Sequence, residues 1–280
     1  MLERETIRIM TNRLVLFVSG LTALFGIVML SWILADVLLK GAAAINWDFF
    51  AELPAPPGME GGGLANCIVG TILMTVAAAL IAIPIGLLTG IYLAEFGRDG
   101  IFAGLVRWLA DILVSAPSIV VGVFVYLVMV KSVGHFSGWA GAVSLAILML
   151  PVVIRTSEEM LSLVGREMRE AALALGSSYP RMIFSVILLA ARNGLVTGVM
   201  LSVARVAGET APLLFTALNS PYWMEGMNEP MANLTVTLFN YAMSPYDDWH
   251  TLAWGAALLI TMSVLLVTVL TRIILQGKTR

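Results

Sequence analysis

The chain alternates between long apolar runs and polar segments. Six runs approach or exceed the length a helix needs to cross a hydrocarbon core about 30 Å thick. They are Leu14–Leu34, Asn66–Ala94, Val106–Val130, Gly138–Ile154, Gly194–Leu218 and Leu252–Leu275. Lipid offers no partner for open backbone groups, so such spans are helical. Pro84 and Gly86 interrupt the second run, and Gly86 with Gly90 makes a small-xxx-small face suited to close helix packing. Pro117 predicts a kink in the third, and Pro151 sits near the exit of the fourth.

The segments between the runs have patterns of their own. ELPAPPGMEGGG cannot be helix, and Trp47, Phe49 and Phe50 before it suit an interfacial rim. In the charged stretch Arg155–Arg181, Ser157 predicts the cap of a short helix over Glu158–Val164. A second helix is predicted over Glu167–Leu175, stopped by Gly176. Asn219–His250 contains no Lys or Arg, and within it MANLTVTLFNYA predicts a short helix lying along the outer surface.

Composition sets the class. The 280 residues are 59% hydrophobic and 12% charged, with a mean hydropathy of +0.93. A soluble chain has about a quarter of its residues charged, so this is a polytopic membrane protein. A net charge of −2 gives no basic field for nucleic acid. The first run follows a positive start, as in a signal peptide. It is longer than the ~7–15-residue core of one and reads as a retained anchor.

Six spans put both termini on one side. Arg4, Arg8, Arg13, Arg98, Arg107, Arg155, Arg166, Arg169, Arg181, Arg192, Arg272, Lys278 and Arg280 fall on that side, and only Lys40 and Lys131 on the other. The positive-inside bias makes the first set, and both termini, cytoplasmic. No duplicated half is visible, which weakens an inverted-repeat carrier.

Candidate chemistry is sparse. Cys67 is the single cysteine, and His135 and His250 are far apart and read as loop-edge residues, so no metal site is predicted. Gly277-Lys278-Thr279 has the ending of a phosphate-binding loop, but position 272 is Arg where that motif needs Gly. With no clustered His/Asp/Glu set and no Ser beside a visible base, a membrane enzyme is disfavoured.

Arg205 stands out. At 1.5 Å per residue it lies roughly 20 Å beyond Arg192, near mid-bilayer. Glu209 follows at i+4, on the same face of a continuous helix. An arginine at that depth costs on the order of 3 kcal/mol or more. Either Glu209 and Arg205 form a structural pair tying helices together, or the guanidinium serves a passing oxyanion, whose oxygens suit its planar fork. Thr210, Ser115 and Ser118 are candidate polar lining. Asp111 is either a helix-end carboxylate or a gating contact. A proton-coupled carrier using Glu209 as its relay is the alternative class.

REAALALGSSYPRMIFSVILLAA resembles the EAA loop of binding-protein-dependent ABC permeases, through Glu170-Ala171-Ala172 and then Gly176. The resemblance implies a cytoplasmic coupling helix seated on an ATPase subunit, with Glu170, Ala171, Ala172, Leu175 and Gly176 making the contact. One departure is Leu189 after Leu188, where the family usually has Pro. ANCIVGTILMTVAAALIAIPIGLLTGIYLAEF, SAPSIVVGVFVYLVMV and ARVAGETAPLLFTALN are similar to phosphate-specific, PstA-type permeases, a likeness running from Leu64 to the end.

That likeness implies an all-α membrane protein of six transmembrane helices with a type I importer (MetI-like) core. Residues 1–63 would form the tail, anchor and outer loop, residues 64–280 the core, and residues 155–181 the coupling loop. The subunit would be non-catalytic and free of cofactors, with ATP and Mg bound by two ATPase subunits. It would pair with a second, related permease and meet a periplasmic phosphate-binding protein in the bacterial inner membrane. Sulfate or molybdate transport is the alternative within this class. Glu209 is expected to hold Arg205 neutral between cycles until phosphate displaces it.

Overall fold

The computed structural model describes residues 2–59, 61–97 and 100–276. Glu60, Arg98, Lys278 and Arg280, together with Gly277-Lys278-Thr279, lie outside the described residues, as does the side chain of Arg4. Besides a single helical turn at Trp47–Ala51, the helices, in order, are α1 (Leu2–Ala42), α2 (Ala65–Phe96), α3 (Ile101–Ser115), α4 (Ser118–Val133) and α5 (Gly138–Ser162), then α6 (Arg166–Ala174), α7 (Tyr179–Ala207), α8 (Ala211–Thr216), α9 (Leu234–Ala242) and α10 (Asp247–Gln276). Among the described residues there is no strand, only one isolated bridge between Pro54 and Gly62.

The core is built on α2 and α5. A β-carbon on Gly86 would lie 2.7 Å from Val153 Cγ1, one on Gly90 2.4 Å from Ser157 Cβ, and one on Gly141 2.7 Å from Met74 Sδ. Only glycine lets the two backbones come this close. These contacts keep one offset along both chains, so α2 and α5 run parallel. Met74, Ala78, Ala82, Leu145, Met149 and Val153 fill the seam, joined by Val206 and Leu213.

Parallel neighbours fix the topology. The chain must return across the membrane between the end of α2 and the start of α5, and only α3 and α4 are available to do it. Their axes meet at 104°, so the described residues hold five long apolar helices and one bent pair, up to six candidate spans. Here the structure departs from the kinked third span expected over Val106–Val130. Ala116 and Pro117 are extended (ψ 134° and 133°), and no helix turn bridges the gap. Pro disfavours the helical region for the residue before it, and here that preference ends the helix.

Other expectations change as well. α5 continues to Ser162, so no separate helix begins at Ser157 and Arg155 lies within the span. The reason is burial: Ile154, Ser157 and Leu161 extend the inward face of α5. α7 starts at Tyr179 and stops at Ala207, well short of Leu218. MANLTVTLFNYA does form a helix, α9, but not along the surface. Leu234, Val236, Thr237 and Tyr241 are buried, in part with Phe49, Leu64 and Leu252. Burial raises the Tyr241 phenol above its ordinary pKa, so that group stays neutral.

α7 runs antiparallel to α5, with Gly194 against Met160 and Gly198 against Thr156. α1 meets the bundle only near its far end, where Gly41 packs on Trp254 and Leu258 of α10. Its membrane-crossing window buries nothing against the chain.

Candidate functional site

Register places the interesting residues at one depth. Carrying the Gly194–Met160 and Gly198–Thr156 spacing along α7 brings Arg205 level with Met149, near the middle of α5. The α2–α5 offset brings Pro84 level with Pro151. Arg107 bonds Glu158 and Arg155 bonds Asp111, so α3 descends alongside α5 and its last residue, Ser115, is level with Pro151 too. Two chain breaks therefore fall near the level of the middle of α5, α3/α4 at Ala116–Pro117 and α7/α8 at Gly208–Thr210. The second halves of both meet, since a β-carbon on Gly122 of α4 would lie 2.6 Å from Pro212 Cα of α8.

Arg205 is exposed on the isolated chain at this level, with Glu209, Thr210 and Ser118 half-buried and Ser115 exposed. The expected Arg205–Glu209 pairing on one helix face is not found. α7 ends at Ala207, with Gly208 as its cap, and Glu209 N–H bonds Val206 O at 3.1 Å in a tightened last turn. Glu209 thus lies beyond the helix, and among the described residues no ion pair joins it to Arg205. Instead its carbonyl accepts a hydrogen bond from the Thr235 hydroxyl at 2.8 Å, which fastens the chain break to α9.

Thr210 occupies the cap position of α8, and its carbonyl accepts from Leu213 N–H at 3.1 Å. The Ser115 hydroxyl is turned back on its own helix, donating to Asp111 O at 3.0 Å and Ile112 O at 2.9 Å. Ser118 opens α4. An apolar cavity of about 250 Å³ between α2, α7 and α10 is lined by Ala204 and Ala207 but not by Arg205, so it lies on a different face of α7.

The charged residues that sequence reasoning undervalued form a clamp between α3 and α5. Arg107 Nε donates to Glu158 Oε1 at 2.6 Å and Arg155 bonds Asp111. Arg155 also stands 3.9 Å from Glu158 Oε2. Asp111 is thus a cross-helix contact rather than a lone helix-end carboxylate.

Between α5 and α7, α6 forms where the second short helix was expected. Its end is a Schellman cap: Gly176 has φ +82°, Gly176 N–H bonds Leu173 O at 2.9 Å, and Ser177 N–H bonds Ala172 O at 3.1 Å. Glu170, Ala171, Leu175 and Gly176 are exposed, and Ala172 is buried inward. Leu175 is 90% exposed, a large apolar side chain held out from the bundle.

Residues 82–280 match the family described as binding-protein-dependent transport system inner membrane component. The inward-facing MetNI methionine ABC transporter shares the fold, with a TM-score of 0.65 at 22% identity, covering 78% of this chain and 96% of that one. The phosphate transport system permease protein PstA of Yersinia pestis is 48% identical, covering 99% of this chain and 94% of that protein. PstA of Haemophilus influenzae is also 48% identical, over 95% and 94%. A probable PstA of Methanocaldococcus jannaschii is 34% identical, over 96% and 95%. The chain belongs to the binding-protein-dependent inner membrane permeases, and within them to the PstA group.

Proposed function

We propose that this chain is the permease subunit of an ATP-driven phosphate importer and lines half of its pathway. The observation that carries the reading is Arg205: a guanidinium exposed on this chain beside a chain break, with no ion pair to Glu209 among the described residues. A cation left open within a membrane needs an anionic visitor to offset its cost, and a guanidinium fork fits phosphate oxygens. Near-identity of length and 48% identity to phosphate permeases support the choice among anions. Glu209, Thr210, Ser118 and Ser115 are the accompanying polar lining. Binding there is weak, since a tight site would halt passage.

The arginine-rich side, with both termini, is cytoplasmic in a bacterial inner membrane. Residues 1–63 supply the anchor and outer loop, and residues 64–280 the transporting core. Two ATPase subunits dock on the exposed face of α6 and of its equivalent on a second, related permease, which completes the pathway. ATP and Mg are bound there and not by this chain. A periplasmic phosphate-binding protein delivers cargo to the far side. Nucleotide-driven closure of the ATPases moves α6, and the bundle alternates its access.

The test is uptake by the purified four-part complex in vesicles. ATP-dependent phosphate entry that depends on the binding protein is expected. Entry driven by a proton gradient with this chain alone, or a preference for sulfate or molybdate, would overturn it.

A further inference from the structure

α6 touches the rest of the chain at few points. Of its nine residues only Arg169 and Ala172 are buried, one turn apart on its inward side. Ala172 sits among Leu161, Met182, Ile183 and Ile187. Arg169 does more, because its guanidinium joins three segments at once.

Arg169 Nε donates to Glu95 Oε1 at 3.1 Å and Oε2 at 3.2 Å, and Nη2 donates to Oε1 at 2.6 Å. The remaining donors cap the end of α5: Nη2 to Leu161 O at 2.9 Å, and Nη1 to Val164 O and to Gly165 O at 3.3 Å. The Glu95 side chain is 1% exposed and that of Arg169 10%. Tyr179, the first residue of α7, places its hydroxyl 3.5 Å from Glu95 Oε2 and its ring edge-on to Phe96. Four segments thus meet at one carboxylate and one guanidinium.

The setting of Glu95 matters. It lies in a π-helical turn, Tyr92–Phe96, that ends α2, and a second π turn, Ile183–Ile187, sits in α7 beside Ala172. Such wide turns recur at functional sites. α6 therefore grips α2 and α7 where their helical ladders are loosest.

We infer that Arg169 is a positioning residue for energy coupling: through its forked bond to Glu95 it converts displacement of α6 into displacement of α2 and α5. This rests on α6 being the ATPase-docking element. A guanidinium fork resists rotation in a way a single point contact does not. A buried pair is also costly to half-break, so the joint moves as a unit. Since α2 and α5 are locked together by Gly86 and Gly90, movement delivered at Glu95 reaches the level of Pro84 and Pro151.

The test uses the complete reconstituted complex carrying Arg169→Gln, Arg169→Lys or Glu95→Gln. The expected result is an assembled complex whose ATP hydrolysis stays within about two-fold of the parent. Phosphate moved per ATP should fall at least ten-fold for Arg169→Gln and Glu95→Gln, and by a smaller factor for Arg169→Lys, which keeps the charge without the fork. An unchanged phosphate-to-ATP ratio in Arg169→Gln overturns the inference. Failure of both Gln variants to assemble also overturns it, because the pair would then hold the fold and not pass movement. A separate crosslink from Leu175→Cys to the ATPase checks the docking reading itself. Its absence would sink that reading, whereas its presence with an unchanged ratio would sink only the role of Arg169.

Discussion

Gly122 and Pro212 touch backbone to backbone: a β-carbon at 122 would stand 2.6 Å from Pro212 Cα and 3.1 Å from Pro212 O. Each residue belongs to the second half of a broken span, so this contact holds the two breaks in one relation. Gly122→Val is expected to push α4 off α8, at about 1–3 kcal/mol of overpacking. Phosphate uptake by the assembled complex should drop several-fold more than its content in membranes, measured by uptake and immunoblot on the same vesicles.

Arg205→Gln removes the exposed charge without leaving a buried carboxylate stranded, because Glu209 is not its partner here. Assembly and ATP hydrolysis should persist while uptake falls by two orders of magnitude or more. Arg205→Lys, a point charge without the fork, should retain a fraction of uptake. Undiminished uptake in the Gln variant would remove Arg205 from the pathway.

Cys67 is buried and is the one cysteine of the sequence, so the parent chain gives little background to a thiol reagent. In the chain expressed without the ATPase, Leu175→Cys should label with a membrane-impermeant maleimide only when the cytoplasmic face is open. Met59→Cys, 60% exposed and in the outer loop of the proposed topology, should label from outside. The reverse pattern would invert the orientation.

The clamp between α3 and α5 should respond unevenly. Asp111 is 57% exposed, and breaking a pair that open costs less than about 1 kcal/mol; Asp111→Asn should leave thermal stability in detergent almost unchanged. Glu158 is 13% exposed and serves both Arg107 and Arg155, so Glu158→Gln should lower the melting temperature measurably. Equal shifts for the two would argue against this division.

Gly176→Ala forces an L residue to φ +82°, at a cost of roughly 1 kcal/mol. The end of α6 should fray, giving faster amide exchange over residues 173–177 while α5 and α7 keep their protection.

Much of this architecture is legible in the apolar runs. Gly86 and Gly90 announce the α2–α5 seam because nothing else permits such an approach, and Gly176 announces the end of α6. Pro117 marks a discontinuity but carries no angle, so a kink was expected where the axes turn by 104°. The spacing of Arg205 and Glu209 pointed to one helix face, yet the pair is split by Gly208. Read as a helix stop, that glycine signals the separation, since Gly is enriched just past helix ends. Glu95–Arg169 and Arg155–Asp111 had no signal at all. They join positions far apart along the chain, and only packing brings them together.

Pro84, Pro117 and Pro151 share one depth, with Pro212 just beyond. Each strips an amide hydrogen from the backbone at the same storey of the bundle. Two spanning helices, α2 and α5, therefore lack one backbone donor at a common level, and the α3/α4 break lies beside them. Proline at that level gives α2 and α5 a point at which to bend. Bending concentrated at that level would swing the two ends of the α2–α5 pair in opposite senses.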